Sequence, residues 1–350
     1  MKQAPAKSVL IIGNFLSGAG GSRGVCEELA PRLESTGWNV ITASSRQNRI
    51  MRLIDMIKTA VSQRQYYRVA QVDVYSGAAF LWAEVVSWVL RAVHKPYVLT
   101  LHGGNLPIFA ARYPRRVRRL MQSASAITAP SAYLYEQMQP YCANPILLPN
   151  PIELANYPYR YRGTLQPQLV WLRAFHTIYN PSLAIQVVGM LKGTFPEIHL
   201  TMVGPNKGDG SFEQCQAEVS KLGLTTQVTF SGGVKKSEVP NWLQKGDIFL
   251  NTTNFDNTPV SVIEAMACGL CVVTTNVGGI PYLFTHEYDA LLVPPNDAHA
   301  MADAVRRLLT EPELAKKLSQ NARTTVEKYD WAIVLPQWED LLLSVTSENQ

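Results

Sequence analysis

Asp256 and Glu264 stand in the run Asp256-Asn257-Thr258-Pro259-Val260-Ser261-Val262-Ile263-Glu264-Ala265-Met266-Ala267-Cys268-Gly269. The first carboxylate precedes a helix start. The second lies inside that helix, with seven residues intervening. Pro259 suits the first helical position, where its missing N–H would be unpaired anyway. The N–H groups at such a start attract phosphate, helped by the helix dipole. One segment therefore offers a phosphate cradle flanked by two carboxylates that can accept from sugar hydroxyls. That combination suits a sugar nucleotide better than a bare nucleotide or a bare sugar.

Four other features could join that chemistry. The loop Gly18-Ala19-Gly20-Gly21-Ser22-Arg23-Gly24 follows a strand and opens a helix, and its glycines let a ligand approach the backbone closely. Strand two ends in Ser44-Ser45 rather than an acidic residue, which argues against a nicotinamide dinucleotide. His102-Gly103-Gly104-Asn105 follows the fourth strand, where His102 and Asn105 could donate to a hydroxyl or phosphate. Arg173 ends the first strand of the second half, a natural phosphate clamp. Arg112, Arg115, Arg116, Arg118 and Arg119 form a basic cluster on a helix interrupted by Pro114. These arginines fit contact with anionic lipid headgroups or a lipid-phosphate acceptor. Nucleic acid fits less well, since no aromatic series accompanies them. The plainer readings are a flexible turn, a structural histidine, an ion pair and a solvated helix face.

The elements that must position these residues alternate along the chain. Strand runs at 8–12, 38–43, 71–75, 97–101, 126–129 and 146–148 are separated by helical spacing. Proline and turn residues then cluster from Pro149 to Gln168. The pattern restarts with strands at 169–172, 199–203, 227–230, 248–250 and 271–274. Helices fall near 181–193, 212–222, 236–245, 259–267, 297–309, 311–328 and 331–345. Such alternation predicts an α/β protein of two doubly wound parallel-sheet domains with ligand-binding loops at the strands' carboxyl ends. The expected boundaries are 1–155 for the first domain, 165–329 for the second, and 330–350 for a last helix.

Composition limits the alternatives. A chain of 350 residues suggests two domains, and 47% hydrophobic with 17% charged residues marks an ordinary globular protein. The net charge of +5 fits a phosphorylated ligand or an anionic membrane surface without demanding nucleic acid. Five scattered cysteines do not make a disulfide framework, and the Cys268/Cys271 pair reads as two small residues at a helix-to-strand turn. No Gly-Lys step, no D-x-D and no H-E-x-x-H occurs, which disfavours a Walker loop and metal-dependent chemistry. The apolar run ending at Ile12 is broken by Gly13-Asn14, so no secretory leader is read. The apolar stretch 78–93 carries Glu84 and Arg91 and is too short to span a bilayer. The expected location is cytoplasmic, with peripheral contact at the inner face of the membrane.

The block from Asp256 to Gly269, together with Asn276-Val277-Gly278-Gly279-Ile280-Pro281 and Asp289-Ala290-Leu291-Leu292-Val293, resembles the E-x7-E region of family 4 retaining glycosyltransferases. The glycine loop, His102-Gly103 and Val203-Gly204-Pro205 fit the same family, so the resemblance covers nearly the whole chain. It implies a GT-B fold: two Rossmann-like domains facing across a cleft, the last helix crossing back onto the first. It also implies retaining transfer from a nucleotide sugar to a glycan or glycolipid hydroxyl, with no metal and no other cofactor.

By that resemblance Glu264 would bind ribose hydroxyls, Asp256 the donor sugar, and Arg173 the diphosphate. Backbone near Asn257, Thr258 and Val260 would approach sugar and diphosphate. Gly20 and Gly21 would leave room for phosphate and acceptor, Gly204 would serve the donor site, and His102 would lie near the reacting sugar. Two departures stand out. Asp256 occupies the place of a glutamate, and Tyr179 falls at about the position of a lysine that assists the arginine. His176 and Lys207 are the candidates to compensate. An epimerase of similar fold and a non-catalytic nucleotide-sugar-binding protein are the competing functions.

Overall fold

The computed structural model describes residues 4–19 and 24–347. The chain divides into two compact units, Met1–Pro151 with Trp331–Gln350, and Ile152–Asp330. Each is built on one six-stranded sheet whose pairings are all parallel.

In the first unit, β1 (Ser8–Ile12), β2 (Asn39–Ala43), β3 (Val69–Val74), β4 (Tyr97–Leu101), β5 (Ala126–Ala129) and β6 (Ile146–Leu147) lie in the order β2-β1-β3-β4-β5-β6. Side chains alternate across a strand. Leu10 and Ile12 therefore pack under the helices Arg49–Ser62, Phe80–Ala92 and Pro114–Met121, while Val9 and Ile11 pack under Val25–Ser35 and Trp331–Ser347. The last helix contains Pro336 and still forms. It buries Trp331, Val334, Trp338, Leu341, Leu342 and Val345. At roughly 1.5–3 kcal/mol per buried side chain, that outweighs the roughly 3 kcal/mol cost of an interior proline.

In the second unit, β7 (Gln168–Leu172), β8 (His199–Val203), β9 (Val228–Gly232), β10 (Ile248–Asn251), β11 (Cys271–Thr275) and β12 (Leu291–Val293) lie in the order β12-β11-β10-β7-β8-β9. The order reverses between β7 and β10, where open parallel sheets hold ligands beyond the carboxyl ends of the strands. The thiols of Cys268 and Cys271 belong to cores on opposite faces of this sheet. Both are fully buried free thiols, as the packing reading expects.

The sequence reading differs from the structure in four places. It has no strand at β12, the edge strand Leu291–Val293. Pro259 is the helix N-cap, and the helix itself runs Val260–Ala267. The 236–245 helix is a short 3-10 turn, Lys236–Glu238, leading into Val239–Leu243. The turn-rich stretch after residue 151 is no loose linker. Its Arg162 is 2% exposed, donating to Gly246 O, Arg160 O and Asp247 Oδ1. Burial pushes that guanidinium down to about 10, with Arg160 adding to the effect. Composition could not show this, because the partners of the stretch are distant in sequence.

Candidate functional site

Arg173 follows the last residue of β7, and the loop 252–259 follows β10, so the sheet order brings them together at the reversal point. The Arg173 guanidinium pairs with the Asp256 carboxylate, with side-chain exposures of 16% and 14%. Its face covers the Tyr179 ring at 4.9 Å. Asp256 Oδ1 accepts from the Thr258 N–H at 3.1 Å, so that donor is committed to the protein. The Val260 and Ser261 N–H groups have no acceptor among the described residues, and no side chain caps the helix. Three buried polar atoms also lack partners here: Arg173 Nε, Thr258 Oγ1 and Ser261 Oγ. Buried polar groups in proteins are normally satisfied, so this concentration of donors marks a place built for a polar guest.

Glycines bring the backbone close at three points. A Cβ on Gly204 would overlap the Arg173 carbonyl, and its φ is +153°. A Cβ on Gly278 would strike the Asp256 carbonyl, and one on Gly279 the Asn257 carbonyl. The Gly279 N–H donates to Asp256 O at 2.8 Å, which fixes the acidic loop from behind.

Glu264 lies one turn into the helix and is 2% exposed. Its Oε1 accepts from Tyr157 Oη at 2.7 Å and pairs with Lys236 Nζ. The pocket bounded by Arg173, Tyr179, Gly204, Lys236, Ser261 and Glu264 has a volume of about 290 Å³. The structure thus gathers Arg173, Gly204, Asp256, Val260 and Glu264 on one unit. Asn257 and Thr258 support the acidic loop. Gly20 and Gly21 lie outside the described residues. His176 is directed elsewhere: its Nδ1 accepts from Ile178 N at 3.1 Å, and Nε2 stands 3.9 Å from Asp209.

His102 belongs to the first unit, directly after β4, and is 9% exposed. Its Nε2 stands 2.9 Å from Asp73 Oδ1, and its ring stacks on Tyr75 at 4.8 Å and 17°. Gln71 Nε2 donates to the same carboxylate oxygen and to Thr100 Oγ1, each at 2.8 Å. Burial alone would raise the Asp73 carboxyl, but His102, Gln71 and Cys26 together hold it below the usual range. An ionised Asp73 accepts from an Nε2–H, and Nδ1 has no partner among the described residues. Burial, with Asp73 second, pushes the Cys26 thiol and the Tyr75 phenol up, so both stay protonated.

Sequence reasoning missed Asp73, Tyr75, Tyr157, Ser261 and Lys236. The one available signal was Asp73, an acidic residue inside an otherwise apolar strand run.

Comparison with known proteins places this geometry. The family described as glycosyl transferases group 1 matches residues 165–325. Those residues make up most of the second unit. The chain is 24% identical over 262 residues to a phosphatidyl-myo-inositol mannosyltransferase of Propionibacterium freudenreichii, covering 71% of this chain and 64% of that protein. It is 26% identical over 251 residues to a putative teichuronic acid biosynthesis glycosyltransferase of Bacillus subtilis, covering 67% of this chain and 61% of that one. The chain therefore spans less than two thirds of these relatives. Among solved structures, sucrose-phosphate synthase from Thermosynechococcus elongatus superposes with a TM-score of 0.74 at 17% identity, over 98% of this chain and 100% of that one. Anabaena HepE in complex with UDP and glucose gives 0.74 at 16% identity, over 97% and 100%. The fold is GT-B, and the 290 Å³ pocket lies wholly within the matched glycosyltransferase residues.

Proposed function

We propose that the protein is a retaining glycosyltransferase of family 4 type. It would move a sugar from a nucleotide-sugar donor to a hydroxyl of a glycan or glycolipid, without a metal. One observation carries this reading: the Arg173 guanidinium, held by Asp256, meets the Glu264 carboxylate and an uncapped helix start in one pocket at the sheet's reversal point. Glu264 Oε2, without a partner among the described residues, accepts ribose hydroxyls. The Val260 and Ser261 N–H groups and Arg173 receive the diphosphate. As the bond from the anomeric carbon to phosphate breaks, positive charge develops on the sugar and negative charge on the diphosphate, which these fixed donors stabilise. The departing phosphate is the base for the acceptor hydroxyl. Asp256 orients Arg173 and faces the sugar. Structures of Anabaena HepE with UDP and with UDP-glucose support the choice of donor class.

The test is Glu264→Ala against a panel of nucleotide sugars. Losing hydrogen bonds to a charged acceptor should weaken the best donor at least tenfold, at roughly 1.5–3 kcal/mol per bond. Unchanged affinity overturns the reading. Product analysis with and without acceptor separates transfer from epimerisation.

The reading includes peripheral contact with an anionic bilayer. Arg91, Arg115, Arg118 and Arg119 surround a depression of about 520 Å³, with Trp88 and Ile108 exposed on neighbouring helices of the same layer. Arg116 contributes little, because Glu84 accepts its Nε at 2.7 Å, and Arg112 covers the Tyr113 ring. Flotation with phosphatidylglycerol vesicles should capture the protein, and Arg115→Glu with Arg119→Glu should release it. Equal flotation of both proteins defeats this part.

A further inference from the structure

The pocket carries a cation that the chain's spacing does not announce. At the place where a lysine would assist Arg173, Tyr179 puts an aromatic face under the guanidinium instead. His176 is held by Ile178 and Asp209. Lys236 comes from a different element, the turn Lys236–Glu238 after β9. It reaches the pocket from outside: its side chain is 64% exposed, yet its ammonium pairs with Glu264, whose side chain is 3% exposed. A buried carboxylate left without a counter-charge is strongly unfavourable; the Lys236 ammonium supplies that charge at Oε1, and the Tyr157 hydroxyl donates to the same oxygen. Lysine is a compact charge on a flexible four-carbon stem. A pocket wall shared with Arg173 and Ser261 puts diphosphate oxygens within its sweep.

We propose that Lys236 is an exchangeable counter-ion, paired with Glu264 until a nucleoside diphosphate enters the pocket and then turned to the diphosphate. This rests on the donor-pocket reading above. Hydroxyls of the ligand then take over part of the Glu264 carboxylate, while the ammonium meets the phosphate beside Arg173. Lys236 thereby supplies the positive charge that Tyr179 cannot. The exchange couples the two halves of the ligand: hydroxyl recognition at Glu264 releases the cation that phosphate recognition uses. Inorganic pyrophosphate alone should gain less from Lys236 than a nucleoside diphosphate does.

Calorimetric titration tests this with inorganic pyrophosphate, with UDP, GDP and ADP, and with uridine, guanosine and adenosine. The proteins are wild type, Lys236→Gln and Lys236→Arg, with thermal melts to verify folding. Lys236→Gln should weaken the preferred diphosphate about tenfold, the scale of one charge-assisted bond. It should weaken pyrophosphate less, and leave the matching nucleoside unchanged or tighter. Lys236→Arg should retain most diphosphate affinity and keep Glu264 paired if the glutamine variant folds poorly. Equal weakening of nucleoside and diphosphate would show a merely structural partner of Glu264 and overturn the proposal. So would unchanged diphosphate affinity in Lys236→Gln. A wild-type protein that binds none of the three diphosphates sinks the donor reading itself, and this inference with it.

Discussion

At the carboxyl end of the first sheet, His102, Asp73, Gln71 and Thr100 bond to one another beside a space of about 20 Å³. At the same end of the second sheet, Arg173, Lys236, Ser261 and Glu264 surround about 290 Å³. The first space has room for about one water molecule; the cluster's two atoms without partners among the described residues, Gln71 Oε1 and Asp73 Oδ2, are both acceptors, and the Cys26 thiol and Tyr75 phenol stand by Asp73. The second leaves a guanidinium Nε, two hydroxyls and two helix N–H groups without partners. The contrast separates two uses of buried polarity. A cluster whose donors are already spent fixes one side chain, here His102, in one orientation. A cluster left incomplete around a larger space holds donors ready for a ligand that completes it.

The largest expected effect tests the open cluster. Arg173→Ala should lower turnover by on the order of 10²–10³, the loss seen when one preorganised donor is removed. It should also free Asp256 from its pair. Steady-state kinetics with any accepted donor measures this, and wild-type turnover would erase the distinction drawn between the two sheets.

The closed cluster should respond in stability. Asp73→Asn leaves the His102 ring without its anionic acceptor and should cost about 1–3 kcal/mol in urea unfolding. The folded-state pKa of Asp73 lies below the unfolded value of about 3.9. Its contribution is therefore complete above about pH 4. It fades as acid protonates the carboxylate, with His102, Gln71 and Cys26 as the groups facing it. The variant should show a flatter acid limb than wild type. Identical limbs would mean that Asp73 does not hold His102 in place.

The smallest effect concerns the thiols. Burial pushes Cys142, Cys215 and Cys268 up to about 11 and Cys271 up to about 12. Thiolate is the reactive form, so native protein near pH 8 should react with a thiol reagent only as it opens. Cys26 would report on the first cluster and Cys268 on the helix that carries Glu264. Rapid labelling of either in native protein would show that its cluster is looser than described.

Much of this was legible in the chain. Apolar runs and helical spacing located most strands, and the helices of the second half, to within a few residues, because each element's burial is written in its own local pattern; the three-residue β12 was too short to show. The Asp256-to-Glu264 segment announced itself because helix start and carboxylates are sequence neighbours. Tyr157 was hidden, since its bond to Glu264 joins positions 107 apart and it lay in a stretch that composition reads as a linker. Lys236 was hidden because lysine at the start of a turn is ordinary, and nothing local distinguishes one that reaches a buried carboxylate.

The residue pattern by itself determined that two parallel sheets would form and that a helix start would stand between two carboxylates. These follow from periodicity, cap chemistry and residue type, all short-range properties. Only tertiary structure decided that Asp256 would spend its charge on Arg173, that Asp73 would hold His102, and that Lys236 would answer Glu264. Those pairings depend on strand order, which brings the ends of β7, β9 and β10 to one place, and a side chain's partner is chosen there by proximity in a medium that penalises an unmatched charge.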